Sequence, residues 1–253
     1  MSAYYFAGRD GAQLAWHETG SGRPLIFFPG FGGTGSRLLE HGPAVQVAEH
    51  GYRVLLPDYR GYGDSVRLHD PAAFPPDILA DDGFALVEHL GLGDGDYDLG
   101  GYSLGARIVV RMLARGATPG RAIVAGQGLA NVSGSQHGPN HRVLTALVNG
   151  IAIEPGTPDA RRAHAISQAD ADPRTMLHVL DSLAPTPQVA LRSITVPTLV
   201  AIGEQDERTD ADKLAALLHD ARFVHVPGDH ASALVAPELT AAIVEFLTEH
   251  RSA

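Results

Sequence analysis

Residues 99–107 read Leu99-Gly100-Gly101-Tyr102-Ser103-Leu104-Gly105-Ala106-Arg107. Gly101 to Gly105 fits G-x-S-x-G, a turn that holds a serine between a strand and a helix. The residue types follow from that geometry. The strand must turn sharply into the helix with the serine strained at the apex. Side chains two positions to either side would collide with strand or helix, so both are glycine. A serine so placed sits at a helix N-terminus, where free backbone N–H groups favour negative charge.

The flanks supply the context the pentapeptide needs. Asp96 to Leu99 can form a short strand entering the turn, and Ala106 to Arg115 reads as a helix. Ile108, Val109 and Met112 share one face of that helix. Arg107, Arg111 and Arg115 recur every four residues on another, which reads as a solvated face.

The chain has 253 residues, 44% of them apolar, enough for one large domain or a core with a modest insertion. The formal net charge is −10 and no basic run stands out, so nucleic acid is not an expected partner. No stretch reaches the length of a membrane span, and the first twenty residues lack a basic start followed by an apolar run. There is no cysteine, which removes disulfides, thiolate catalysis and cysteine-bearing metal sites. A soluble cytoplasmic protein is expected, with no membrane partner; nothing in the sequence favours a monomer over a homodimer.

Upstream of the serine, Tyr4 to Phe6 and Ala12 to His17 read as strands around the turn Gly8-Arg9-Asp10-Gly11, with Trp16 in the core. Leu25 to Phe28 is a wholly apolar strand ending in the loop Pro29-Gly30-Phe31-Gly32-Gly33-Thr34-Gly35. Two readings of that loop compete. Gly30, Gly32 and Gly35 spell G-x-G-x-x-G, and Asp58 follows the later strand Arg53 to Leu56, the outline of a dinucleotide fingerprint. The other reading, favoured because of Pro29 and of the strands that precede the loop, is an oxyanion loop in which the Phe31 N–H faces a developing negative charge. Arg60, Asp64 and Ser65, in the loop after Asp58, read as structural. Asp77 to Leu90 reads as a helix.

Downstream, Ala122 to Ala125 is another buried strand. The texture then changes: residues 131–140 are rich in Gly, Ser, Asn, His and Pro. Three helices follow, at Arg142 to Asn149, Pro158 to Gln168 and Pro173 to Leu183. Thr157-Pro158 and Asp172-Pro173 each read as an N-cap followed by a first-turn proline. His137 and His141 are four apart, but Gly138 and Pro139 between them oppose a helix and no third ligand accompanies them, so no metal is expected. Thr198 to Ile202 returns to a buried strand that ends in Gly203-Glu204-Gln205-Asp206. Thr209 to Asp212 resembles a capping box for a helix at Lys213 to Leu218. That leaves Asp206 free past the strand end, with Glu204 as the alternative acid. Arg222 to Val226 is the last strand, His230 lies in the loop after it, and Pro237 to Glu249 is the closing helix.

Strand and helix alternate throughout, which implies an α/β fold with a mostly parallel, helix-flanked sheet. Ligands of such sheets bind at the carboxyl ends of strands. Phe31, Asp58, Ser103, Asp206 and His230 all follow such ends. Ser103, Asp206 and His230 also have the chemistry of a triad. A hydroxyl is a poor nucleophile until a base takes its proton, and a carboxylate fixes and stabilises the imidazole that does so.

The loop at 29–33, Asp58 to Ser65, Gly101 to Gly105, Val196 to Asp206 and Gly228 to His230 together resemble the α/β-hydrolase superfamily, over nearly the whole chain. The resemblance implies an eight-stranded sheet, with residues 1–128 and 191–253 as the core and 129–190 as a helical cap. It implies Ser103, Asp206 and His230 as the catalytic triad and the amides of Phe31 and Leu104 as the oxyanion hole. Phe31 and Tyr102 are candidate substrate-binding residues. The expected activity is hydrolysis of an ester-like bond (carboxylic ester, lactone or thioester) or a C–C bond of a small molecule, without cofactor. Perhydrolase or acyltransferase chemistry, a non-catalytic receptor and a nicotinamide-dependent oxidoreductase are the alternatives. Pro29 departs from the histidine many members carry there. Ser103 stands where epoxide hydrolases and haloalkane dehalogenases of this fold carry aspartate.

Overall fold

The computed structural model describes residues 3–134 and 138–249. Eight strands form one sheet: β1 (Tyr4–Ala7), β2 (Gln13–Gly20), β3 (Arg23–Phe28), β4 (Tyr52–Pro57), β5 (Asp98–Tyr102), β6 (Ala122–Ala125), β7 (Thr198–Gly203) and β8 (Ala221–Val226). Their spatial order is β1-β2-β4-β3-β5-β6-β7-β8. The β1–β2 and β2–β4 pairs are antiparallel and the remaining five are parallel. β5, β6 and β7 are buried at every residue. Strands covered on both faces read as apolar runs and not as alternations; the polar exceptions stand at the first positions, Asp98 of β5, paired with Arg23, and Thr198 of β7.

The helices are α1 (Gly35–His41), α2 (Ala44–Ala48), α3 (Ile78–His89), α4 (Leu104–Ala114), α5 (Leu129–Ser133), α6 (Pro139–Val148), α7 (Pro158–Ser167), α8 (Pro173–Asp181), α9 (Gln188–Leu191), α10 (Ala211–Ala215) and α11 (Pro237–Thr248). Successive side chains of β3 point to opposite faces of the sheet. Ile26 and Phe28 join one core with Leu86 of α3, Met112 of α4 and Leu214 of α10. Leu25 and Phe27 join the other with Leu38 of α1, Val47 of α2 and Ile243 of α11. No helix among the described residues is long and apolar enough to cross a membrane.

Helices α5 to α9 all lie in the segment between β6 and β7, and α6 packs against α7 and α8. Thr157 accepts from the Ala160 amide and Asp172 from those of Arg174 and Thr175, the two caps read from the sequence. α6 begins at Pro139, not Arg142, with Gly138 as its N-cap. His141 lies on that helix with Nε2 2.9 Å from Asp181 Oδ1; His137 lies outside the described residues.

Three readings are corrected. Residues 35–48 carry α1 and α2, which the sequence reading left unassigned; elements of seven and five residues hold too few turns to show a period. The expected capping box at Thr209 is absent. The helix starts earlier, with Asp210 as N-cap making no side-chain cap bond. Its Oδ2 accepts instead from the Ala130 amide at 2.8 Å, at the first turn of α5. Finally, the arginine row along α4 is solvated only at its end, where Arg115 is exposed. Arg111 donates to Asp77 and Arg115 to Asp81, while the Arg107 side chain is largely buried and its Nη2 finds no acceptor among the described residues.

Candidate active site

The turn after β5 has the geometry its glycines imply. Ser103 takes φ 55° and ψ −111°, one of two non-glycine residues at positive φ among those described. A Cβ on Gly101 would lie 2.3 Å from the Gly105 carbonyl carbon, and one on Gly105 would lie 2.2 Å from the Phe28 oxygen. Neither position admits a side chain unless backbone moves. The Ser103 amide donates to Ala125 O at 2.8 Å, and its carbonyl accepts from Gln127 Nε2 at 2.8 Å. The strained residue is thus held from β6 and from the loop beyond it.

Parallel pairing of β3, β5, β6, β7 and β8 brings their carboxyl ends to one edge, so residues 127 positions apart can meet. His230 Nε2 is 2.9 Å from Ser103 Oγ, and His230 Nδ1 is 2.7 Å from Asp206 Oδ2. The Asp206 side chain is fully buried and also accepts from the Arg208 amide and from Arg208 Nη1, each at 3.0 Å. Burial alone would raise this carboxyl. The hydrogen bond from His230, the Arg208 amide and the charges of both residues outweigh it and hold Asp206 below the usual carboxylate range. Glu204, the alternative acid, makes no hydrogen bond or ion pair with His230, whose Nδ1 is taken by Asp206.

The loop after β3 lies against the serine: a Cβ on Gly30 would be 3.6 Å from Ser103 Cβ. The loop is pinned by Tyr59, whose hydroxyl donates to Pro29 O at 2.5 Å. Leu104 opens α4, where an amide has no intrahelical acceptor. Among the described residues neither the Phe31 nor the Leu104 amide donates a hydrogen bond. Tyr102 lines the cavity but its hydroxyl is engaged, donating to His230 O at 2.7 Å, with the two rings 5.4 Å apart.

A cavity of about 540 Å³ opens over Ser103, lined by Phe31, Leu38, Tyr102, Leu234 and His230 among others. A smaller lobe of about 160 Å³ adjoins it, sharing Phe31, Ser103, Arg162 and Arg208 and adding Leu104, Arg107, Gln127 and Asn131. Gln127, Arg162 and Arg208 carry no sequence motif, and the helical spacing of Arg107 with Arg111 and Arg115 points to solvent and not to the site.

The dinucleotide reading does not fit the contacts. Asp58 is buried, its Oδ1 accepting from the Gly35 amide at 2.7 Å and its Oδ2 from the Asp64 amide at 2.9 Å, so it faces the loop and not a ribose. Gly35 is required by packing, since a Cβ there would lie 2.1 Å from Leu56 O. Arg60 is wholly buried against Asp82 and Asp10, and Ser65 bonds Ala15 N and Asp58 O, all structural roles. Among the described residues the one group with metal-ligand spacing is His17, Asp58 and Asp64, which lines neither lobe over Ser103.

A profile of the alpha/beta hydrolase family matches residues 25–243. A non-heme haloperoxidase from Rhodococcus erythropolis is 34% identical over 118 residues, which make up 44% of this chain and 38% of that protein. The match therefore spans less than half of the relative's length. A hydrolase from Pseudomonas aeruginosa superposes with a TM-score of 0.77 at 21% identity, over 98% of this chain and 99% of that one. The enol-lactonase from Burkholderia xenovorans superposes with a TM-score of 0.77 at 22% identity, over 97% and 100%. At such identities the structures share the fold; the reaction has to be argued from the site.

Proposed function

The chain belongs to the alpha/beta hydrolase family, and from that membership we propose that it is a serine hydrolase of an ester-like bond in a small molecule. The observation that carries this reading is the unbroken line Ser103 Oγ, His230 Nε2, His230 Nδ1, Asp206 Oδ2, at 2.9 and 2.7 Å. His230 takes the Ser103 proton as the oxygen attacks the carbonyl carbon. The Phe31 and Leu104 amides receive the charge that develops on the carbonyl oxygen, a contribution of about 3 kcal/mol for each such donor. His230 passes its proton to the leaving group, an acyl-enzyme remains on Ser103, and a water activated by the same imidazole releases the acid. Asp206 holds the imidazole in the tautomer with its proton on Nδ1 and stabilises the cation. In this reading residues 129–190 cover the site as a cap.

A second reading follows from the haloperoxidase relative: hydrogen peroxide, in place of water, intercepts the acyl-enzyme and releases a peracid. Both readings need an activated serine. Labelling with a fluorophosphonate, followed by peptide mass spectrometry, tests it: an adduct on Ser103 that disappears in His230→Ala is expected. Folded protein that takes no label would return the site to a binding role. Product analysis with and without peroxide then separates hydrolysis from perhydrolysis.

A further inference from the structure

Arg107 and Arg111 of α4 and Arg115 at its C-cap are spaced alike but are matched differently. Arg111 and Arg115 reach Asp77 and Asp81. Arg107 has no ion pair, and its buried Nη2 has no hydrogen-bond acceptor among the described residues. Burial without a compensating carboxylate lowers this guanidinium to about 10. Such a group costs stability unless something accepts its hydrogen bonds. The chain does not lack acids: its formal charge is −10.

Arg107 follows Ser103 by four residues, one helical turn, and lines the smaller lobe. Arg162 lines the same lobe; its side chain makes no hydrogen bond and no ion pair within 4 Å among the described residues, although Asp159, itself bonded twice by Arg142, interacts with its charge. The other charged groups of the lobe are matched only in part, since the buried Arg208 Nε has no acceptor among the described residues and exposed Glu207 adds a carboxylate to the lining. Arg208 is matched by Asp206 at 3.0 Å and faces Glu207 at 3.8 Å, and His141 meets Asp181. Arg107 and Arg162 are left facing a small, half-open space beside the serine.

We propose that this lobe is an anion subsite and that the acyl part of the substrate carries a carboxylate, held by Arg107 and Arg162. The proposal rests on the serine-hydrolase reading and narrows it. The placement of the acyl part follows from the two lobes. His230, which must protonate the leaving group, lines the larger lobe, whereas Leu104, whose amide faces the carbonyl oxygen, lines the smaller. The leaving group then departs through the larger lobe and the acyl chain points into the smaller. A half-ester of a short dicarboxylic acid fits: attack by Ser103 releases the alcohol with the proton from His230, and water releases the diacid.

The test compares mono-p-nitrophenyl glutarate with neutral p-nitrophenyl pentanoate on the wild type, Arg107→Gln and Arg107→Lys. The wild type should prefer the acidic ester by about tenfold or more in kcat/KM, the scale of one charge-assisted hydrogen bond. Arg107→Gln should abolish that preference mainly through KM, and Arg107→Lys should restore part of it. The ratio is internal to each variant, so a partial loss of folded protein cancels. Equal rates on both esters, or a ratio unchanged in Arg107→Gln, would overturn the subsite. Calorimetry of glutarate on Ser103→Ala is independent of turnover. Binding that is lost in Ser103→Ala/Arg107→Gln supports the subsite even if neither ester is cleaved, in which case the hydrolase reading alone fails. No glutarate binding to Ser103→Ala overturns the subsite.

Discussion

The Tyr102 hydroxyl donates to the backbone carbonyl of His230 at 2.7 Å, so the residue before Ser103 holds the loop that carries His230. The contact joins the end of β5 to the loop after β8, two segments otherwise linked at this point through the Ser103–His230 hydrogen bond. One buried neutral hydrogen bond contributes about 1 kcal/mol. Tyr102→Phe keeps the ring that packs beside the imidazole and removes only this bond. Ester hydrolysis should fall about threefold to tenfold in kcat with KM little changed, because His230 is less firmly placed. A change confined to KM would instead assign Tyr102 to substrate contact, the role first read from the sequence.

Asp206 makes a prediction about both rate and pH. Its carboxylate is buried and accepts from His230 and Arg208. In Asp206→Asn the amide favours the wrong imidazole tautomer, so kcat should fall by about 10⁴-fold. The folded carboxyl lies below its usual range, and an unfolded aspartate titrates near about 3.9. Its stabilising contribution is therefore fully present above that value and is lost as pH falls through the lower folded one. Urea unfolding should show Asp206→Asn less stable than the wild type at pH 7, with the gap narrowing below about pH 4. A gap that stays constant with pH would mean the charge of Asp206 contributes no net stability.

The line of strands was legible because full burial leaves a compositional mark: Leu25 to Phe28 and Ala122 to Ala125 contain no polar residue. Ser103 was legible because steric collision dictates the glycines on either side of it. Asp206 and His230 were legible from chain order and strand ends. What escaped depends on which chains meet across the fold. Asp210 looks like a cap for its own helix, yet it caps the helix at Ala130, eighty residues earlier. Arg107 looks like its neighbours Arg111 and Arg115. Only the packing of α3 shows that two of the three find aspartates and one does not. A local pattern carries the periodicity of a helix, not the identity of what faces it.

Gly105 and Gly51 separate two reasons for keeping a glycine. A Cβ on Gly105 would lie 2.2 Å from the Phe28 oxygen and 2.6 Å from its carbonyl carbon. Both are backbone atoms at the end of β3, so Gly105→Ala must push α4 away from the strand that leads into the loop bearing Phe31. A cost of about 3 kcal/mol or more is expected, which for a domain of this size lowers Tm by about 6 °C or more. Ser103 labelling should be lost as well, because the displaced backbone carries the Phe31 amide. Gly51 has φ 84° and nothing within 4 Å of an added Cβ. Gly51→Ala should therefore cost only the left-handed backbone penalty of about 1–2 kcal/mol, with labelling retained. Calorimetry and the fluorophosphonate assay on the two variants check both halves. Equal Tm shifts would show that Gly105 is kept for chain flexibility and not for the close approach of helix and strand.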